Sequence, residues 1–188
     1  MKNRKFKIVA SQSNIDWIGR KVTGSHNGTI SIKEGTLFLE DNNLTGGKFV
    51  IDTTSVKILD VTDPNTNAQF AGHLASNDFF ASEQFPETQF VITSAQPTGN
   101  NIHKIIGDLT IRGITHPVLF NATVNINDNV LIAFGKVFVD RTLYGMKFRS
   151  GNFFKNLGDT LIHNEFELSI RITANAVSES VIAGYQLN

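Results

Sequence analysis

Apolar and polar residues alternate along most of this chain in short runs that turn residues separate. The clearest run is residues 165–173, in which Phe166, Leu168, Ile170 and Ile172 share one face. Alternation with a period of two is typical of a strand that buries one face. Strand-and-turn units follow one another about every ten residues, and this spacing favours an antiparallel meander.

Turn residues mark the boundaries between the predicted strands. Residues 41–43 separate two of them, and Arg112 with Gly113 forms a two-residue hairpin loop in which Gly can supply a positive φ. Gly135 interrupts a later run and predicts a bend or a bulge. Residues 140–160 contain several Gly and Asn residues, and we predict a long loop region there.

One segment near residues 63–85 departs from the strand pattern. Asp63 and Pro64 mark a helix start, because Asp can cap free N–H groups and Pro is tolerated in the first turn. Phe70 and Leu74 fall four residues apart, on one face of a helix. We therefore predict a short helical insertion in an otherwise all-β chain.

The predicted fold class is all-β, with about eight antiparallel strands in a single domain over residues 1–174 and a weakly ordered tail over residues 175–188. Closing the sheet into a barrel removes its edges. An eight-stranded barrel is either filled by side chains or holds one small ligand. Several strands carry apolar residues on both faces. Either a helix or a partner covers part of the outside, or the interior holds more apolar surface than a core requires.

Composition narrows the classes of function. The 188 residues include no Cys, which excludes a disulfide framework, a thiolate zinc site and a cysteine nucleophile. The 17 basic and 17 acidic residues are scattered, without the basic cluster that nucleic-acid binding needs. Fifteen Phe stand against one Trp and two Tyr. Because Phe has no polar group to satisfy, this excess indicates aromatic surface that stays dry.

No arrangement of residues predicts catalysis or metal binding. None of the five His stands at a zinc-ligand spacing with another His or with a group of carboxylates. Asp16, Ser25 and His26 could be drawn as a hydrolase triad, but no G-x-S-x-G elbow supports it. We therefore assign no catalytic residue, no metal and no cofactor, and we expect a protein that is not an enzyme.

The first five residues are basic enough to begin a signal peptide, but the apolar run after them is too short for one. No run approaches the roughly 18 apolar residues of a membrane span. The expected location of the chain as written is therefore the cytoplasm, or the periplasm if a leader has been removed.

Four segments, in order, resemble the YceI-like family of lipid-binding β-barrels. Residues 72–80 read GHLASNDFF and are followed by Phe-Pro at 85–86, similar to the family's HL-x-S-x-DFF stretch with its aromatic-Pro pair. Residues 107–118 are similar to its G-x-LTI-x-G-x-T-x-PV hairpin, and residues 140–145 to its DR-x-x-x-G segment. Residues 15–52 fit one bacterial branch of the family. Together the four segments span most of the chain.

The resemblance implies an elongated, lipocalin-like barrel around an apolar tunnel, with non-enzymatic binding, sequestration or transport of a long-chain amphiphile. Family ligands are polyisoprenoids, isoprenoid quinones and fatty-acid derivatives. His73 and Arg141 are candidate contacts for a polar head group, and the segment that ends at Phe85 is a candidate gate. The residues expected to line the tunnel are Trp17, Phe49, Phe70, Leu74, Phe79, Phe80, Phe85, Phe90, Phe120 and Phe138.

The residues alone leave other interpretations open. The aromatic side chains fit an ordinary core, His73 a structural hydrogen bond, and Asp78 a helix cap. Asp140 and Arg141 fit an ion pair or a turn anchor at the barrel rim. The alternative function is a structural or interaction barrel without a ligand, including a homodimer formed through the strands with two apolar faces. An enzyme acting on a bound lipid would need an acid/base pair inside the tunnel, and the sequence offers none.

Overall fold

The computed structural model describes residues 3–178, which form one antiparallel sheet and one α-helix. The strands are β1 (Asn3–Ile8), β2 (Asn14–Lys21), β3 (Gly24–Glu40), β4 (Asn43–Ile58), β5 (Glu87–Gly99), β6 (Ile102–Ile111), β7 (Ile114–Asn127), β8 (Val130–Asp140) and β9 (Ile162–Ala176). Helix α1 (Pro64–Ala75) lies between β4 and β5, and short 3-10 helices span Ala10–Gln12, Arg141–Tyr144 and Gly158–Thr160.

The nine strands form a closed barrel with eight strand positions, because β1 and β2 share one of them. Both strands pair with β3 and with β9, β1 near one end of the barrel and β2 near the other. The 3-10 turn Ala10–Gln12 joins the two. Pairing of β3 with β4 closes the ring. This confirms the predicted all-β antiparallel barrel with a helical insertion.

The two ends of the barrel differ in how the chain turns. At one end, here called the floor end, the turns are short and polar: residues 41–42, 100–101 and 128–129. At the other, here called the mouth end, lie α1 and the long connection of residues 141–161. The hairpin at Arg112 and Gly113 also lies there, with φ of 54° and 73° as a type I′ turn requires.

The interior near the floor end is filled by side chains. Phe6, Leu39, Leu131 and Ala174 are each no more than 2% exposed and belong to one apolar cluster. They come from four different strands, and the period-two alternation of each strand turns these side chains inward. The barrel is therefore closed at this end by close packing.

Helix α1 begins where the sequence predicts and ends at Ala75, before the end of the predicted helical insertion. The Asp63 side chain accepts a hydrogen bond from the Thr66 amide at 2.8 Å, and Pro64 occupies the first turn. The Ser76 amide donates to the His73 carbonyl and closes the last turn. Asn67 Nδ2 donates to the carbonyls of Ile58 and Val61, so the helix is tied to the end of β4.

The wall is incomplete between β7 and β8. These strands pair from Asn127 with Val130 only as far as Ala122 with Gly135, and then they part. Gly135 is not the predicted bulge, because its ladder with β9 continues without a register shift. A Cβ on Gly135 would lie 3.0 Å from Cε2 of Phe120, so the absence of a side chain leaves room for that ring.

Two further observations concern the chain ends and the helices. Asn175 and Ala176, predicted to begin a tail, belong to β9 and pair with β1. Residues 179–188 of that predicted tail lie outside the described residues. Within residues 3–178, no helix has the length and apolar character that crossing a bilayer would require.

Gly28 should tolerate no side chain, and this tests the packing of β2, β3 and β4. A Cβ on Gly28 would lie 1.7 Å from the Lys57 carbonyl oxygen and 2.6 Å from Cζ2 of Trp17. We expect Gly28→Ala to destabilise the fold by about 3 kcal/mol, or roughly 10 °C in melting temperature. Gly19→Ala is the matched control, because no atom lies within 4 Å of the added Cβ. Equal melting temperatures of the two variants would contradict this packing.

Candidate functional site

A cavity of about 570 Å³ occupies the barrel interior toward the mouth end. Its lining runs from Lys21, Arg149 and Thr160 at the rim down to Leu44 and Ile105 above the packed floor. Between these limits most lining side chains are aliphatic or aromatic. Such a space suits an apolar guest, because small-molecule sites have volumes of about 300–1,000 Å³ and few polar groups.

Most of the residues expected to line a tunnel do line this cavity. They are Trp17, Phe49, Phe70, Leu74, Phe79, Phe80, Phe90 and Phe120. His73 and Arg141, the candidate head-group contacts, also border it. These placements establish the wall of the cavity, and the binding of a ligand by these residues stays a prediction.

Two of the expected lining residues lie elsewhere. Phe138 points out of the barrel and is 54% exposed, because the alternation of β8 buries Val137 and Val139 instead. Phe85 is half-buried beneath the helical insertion, near Gly113, and does not border the cavity. Its carbonyl accepts a hydrogen bond from Thr53 Oγ1 at 2.6 Å, which fixes this segment along β4.

The structure adds wall residues that the sequence analysis did not assign to the site. Phe166, Leu168 and Ile170 of β9 face the cavity, and their alternation identified the strand without showing what it enclosed. Phe148 and Val118 also line the cavity. Phe148 lies in the long connection before β9, where no periodic pattern could indicate which way a side chain points.

An aromatic cluster of His73, Phe79 and Phe148 joins the helical insertion to the long connection. The His73 ring meets Phe148 and Phe79 edge to face, with centroids 4.6 Å and 5.1 Å away. His73 Nε2 lies 2.9 Å from Asp78 Oδ2, so this histidine has the structural hydrogen bond that was the alternative prediction. Asp78 is thus a partner of His73, and Ser76 supplies the helix cap.

Arg141 is a buried cation that anchors the turn after β8. It is 3% exposed, and its guanidinium donates to the carbonyls of His163, Met146 and Ile162 at 2.9, 2.7 and 3.1 Å. Burial lowers the pKa of Arg141, and the nearby Asp140 charge acts in the opposite direction. Arg141 takes part in none of the ion pairs between residues 3 and 178. Of the two predicted roles, the turn anchor is the one observed.

Asp140 and Tyr144 complete this turn. The Asp140 carboxylate accepts from the amide and the hydroxyl of Thr142, at 2.9 Å and 2.6 Å, and so caps the 3-10 helix Arg141–Tyr144. Tyr144 is 1% exposed, and its hydroxyl has no hydrogen-bond partner among the described residues. Burial, with a contribution from Asp140, raises the pKa of Tyr144 to about 12.

A second histidine–carboxylate pair stands at the mouth. His26 Nδ1 lies 2.8 Å from Asp60 Oδ2, and the His26 ring meets Phe70 edge to face at 4.7 Å. Burial alone would raise the pKa of Asp60, but hydrogen bonds from the Asn27 amide and from His26 outweigh it and lower the pKa. This pair connects β3 to the segment that follows β4 and has a structural role.

The floor end carries a separate polar depression of about 460 Å³. Asn42, Asn101, Asn125 and Asp128 line it together with His103, which is 6% exposed and has no partner for either ring nitrogen among the described residues. Nowhere in residues 3–178 do three or more His, Asp or Glu side chains form a group that could hold a metal ion. The polar and apolar depressions thus lie toward opposite ends of the barrel.

A family model described as the YceI-like domain matches residues 6–174. The chain belongs to the YceI-like family. The resemblance found in the sequence is thereby confirmed.

The chain is 35% identical over 113 residues to a UPF0312 protein of Pseudomonas putida (strain W619), a match that covers 59% of this chain and 56% of that protein. A UPF0312 protein of Pseudomonas fluorescens (strain SBW25) is 30% identical over 112 residues, with the same coverage. The chain thus spans a little over half the length of these curated relatives.

Solved structures of low sequence identity share this YceI-like barrel. Burkholderia cenocepacia BcnA superimposes with a TM-score of 0.70 at 18% identity, over 88% of this chain and 98% of that one. A polyisoprenoid binding domain from Saccharophagus degradans gives a TM-score of 0.64 at 10% identity, over 92% and 98% of the two chains. At these identities the likeness shows the fold alone.

The raised pKa of Tyr144 predicts a loss of stability in alkali. Between pH 10, the ordinary pKa, and about 12, the unfolded chain releases this proton first, so the free energy of unfolding falls by up to about 2–3 kcal/mol. Tyr144→Phe should remove this contribution, while stability at about pH 8 changes by less than about 1 kcal/mol, because the lost hydroxyl has no partner. Urea unfolding of both proteins at several pH values measures the difference. Parallel pH profiles would contradict the assignment.

Proposed function

We propose that this protein binds a long-chain amphiphilic lipid in the barrel cavity and sequesters or carries it without changing it chemically. The observation that carries the proposal is the apolar cavity of about 570 Å³ above a closed floor. A barrel that serves only as a structural or interaction module would need an interior filled with side chains. The floor half meets that requirement, and the mouth half does not.

Apolar contact alone could hold such a guest. Each buried methylene contributes about 0.8 kcal/mol, so ten of them contribute about 8 kcal/mol, the free energy of a roughly micromolar complex. Ordering the chain lowers this value, and further buried carbons raise it again. A site of this kind needs few polar residues, in agreement with the mainly apolar lining.

The proposed ligand class is a polyisoprenoid, an isoprenoid quinone or a fatty-acid derivative. Membership of the YceI-like family supports it, as does the fold shared with a polyisoprenoid binding domain. We assign the polar head group to the upper cavity, where His73 and Arg141 border the space. A guanidinium carries five N–H groups, and the three carbonyls that Arg141 contacts leave hydrogen-bonding capacity for an anionic or carbonyl oxygen.

The proposed role does not include catalysis. The histidine–carboxylate pairs that border the cavity, His73 with Asp78 and His26 with Asp60, are each held on the wall or at the mouth by structural contacts. The hydroxyl side chains that line the cavity belong to Thr66, Thr88 and Thr160, and none of these is paired with a histidine. A carrier that protects its lipid from water needs no such pair.

Removing two aromatic wall residues should weaken lipid retention. Phe79 and Phe80 both line the cavity from the helical insertion, so Phe79→Ala with Phe80→Ala deletes apolar contact with the tail. We expect purified wild-type protein to retain stoichiometric lipid and the double variant to retain at least tenfold less, since each lost Phe costs about 1.5–3 kcal/mol of contact. Native mass spectrometry and solvent extraction measure the lipid content.

Phe138→Ala is the control for that experiment, because Phe138 is exposed on the outer face and should not affect retention. Thermal unfolding identifies a variant that has lost its fold. A folded double variant with wild-type lipid content would show that the two Phe are core residues without a role in lipid binding. Wild-type protein that neither retains lipid nor binds added quinone or fatty acid would refute the proposed function.

The head-group assignment is tested by changing the ligand. A charged hydrogen bond from Arg141 should make a long-chain fatty acid bind about tenfold more tightly than its methyl ester, in which the charge is absent and the tail is the same. Competition with a fluorescent fatty acid gives both affinities. Equal affinities would remove Arg141 as a head-group contact and leave the tail site in place.

A further inference from the structure

Six exposed apolar side chains surround the mouth of the barrel and lie in four different segments. Their exposed fractions are between 39% and 59%. Together they form what we call the apolar rim: Val22, Leu59, Ile114, Leu143, Phe153 and Phe154. Ile114 begins β7, and the other five lie in turns and connections at the end of the barrel where the cavity reaches the surface.

Cations accompany the apolar rim in the long connection of residues 141–161. Lys147, Arg149 and Lys155 are exposed there against one acidic residue, Asp159. Lys147 Nζ lies 4.6 Å from the centroid of the Phe153 ring. None of the three cations takes part in an ion pair between residues 3 and 178.

Among residues 3–178, the floor end does not carry a cluster of exposed apolar residues like the apolar rim. Its turns at residues 41–42, 100–101 and 128–129 consist of Asp and Asn, and its surface depression is polar. Val130 and Phe38 are the large apolar residues exposed near these turns within the described chain. Exposed apolar residues therefore concentrate at the end of the molecule where a lipid would leave the cavity.

We propose that the apolar rim is a docking surface for an anionic lipid bilayer. The inference rests on the proposed lipid-carrying function and adds the partner with which the lipid is exchanged. Exposed aromatic side chains flanked by Lys and Arg suit the bilayer interface, where rings enter the head-group layer and cations meet lipid phosphates. Phe153 and Phe154, with Lys147 and Lys155 on either side, are the centre of this surface.

Docking at the mouth removes the main barrier to lipid exchange. A tail that leaves the cavity into water loses about 0.8 kcal/mol for each methylene exposed. With the rim against the bilayer, the tail passes from one apolar environment to another. The cavity lining and the rim are continuous through Arg149, which borders the cavity and lies in the same connection as the two rim Phe residues.

Vesicle binding by the whole protein tests this surface. Flotation is measured with phosphatidylcholine vesicles that contain no phosphatidylglycerol or about 30% of it, at low and high salt. We expect wild-type protein to bind the anionic vesicles, more weakly at high salt. Phe153→Ser with Phe154→Ser should lower that binding at least tenfold. Lys147→Gln with Lys155→Gln should lower it by roughly fivefold per charge and leave binding to neutral vesicles unchanged.

The matched control is Phe38→Ser with Phe138→Ser, which removes two Phe of similar exposure, 44% and 54%, from the barrel wall. This variant should bind vesicles as the wild type does. Equal losses in the rim and wall variants, or no vesicle binding by the wild type, would overturn the proposal. A change from dimer to monomer in the rim variant, measured by light scattering, would also overturn it, because the rim would then be a contact between two copies.

Lipid content distinguishes this proposal from the function on which it rests. A rim variant that loses vesicle binding and retains its extractable lipid supports both the docking surface and the carrier function. Wild-type protein that binds vesicles through the rim and never contains lipid would refute the carrier function while the docking surface stands.

Discussion

The break in hydrogen bonding between β7 and β8 shapes the interior of this protein. On the floor side of Ala122 and Gly135, β7 and β8 stay paired as far as Asn127 and Val130, and inward side chains fill the space. Above them the wall depends on irregular segments that bond to strand ends. His116 Nε2 donates to the Leu143 carbonyl, and Arg112 donates to the carbonyls of Phe79 and Gly145. These segments frame the open mouth half of the interior, so this eight-stranded barrel is of the kind that leaves space for a small ligand.

The parts of the fold that depend on local chemistry could be predicted from the sequence. Alternation, turn residues and the Asp63-Pro64 start indicated the strands, the hairpins and α1. Which side chains of β8 point into the barrel was harder to predict, because both faces of this strand are apolar. A one-residue change of register would exchange the inner and the outer face. Phe138 was therefore placed inside, where Val137 and Val139 are found. The wall position of Phe148 depends on contacts with α1 that are distant in sequence, and no local pattern encodes them.

Arg141 connects the stability of the mouth with its proposed functions. Its guanidinium bonds to three carbonyls and holds both ends of the connection that carries Phe148 inward and Phe153 and Phe154 outward. Burying a cation without a carboxylate is costly, and the hydrogen bonds to three carbonyls offset part of that cost. The same contacts therefore position one wall of the cavity and the exposed aromatic residues beside it.

The packed floor gives the cavity a fixed depth. Phe6, Leu39 and Leu131 block any passage toward the polar turns, so a chain that enters at the mouth must leave by the mouth. The fixed depth of such a cavity limits how many carbons of a chain can be buried. Carbons within its depth are shielded, and every carbon beyond it stays outside in the neighbouring medium. For the proposed lipid ligand, selectivity among homologous tails would therefore depend on length and would need no polar contact with the tail.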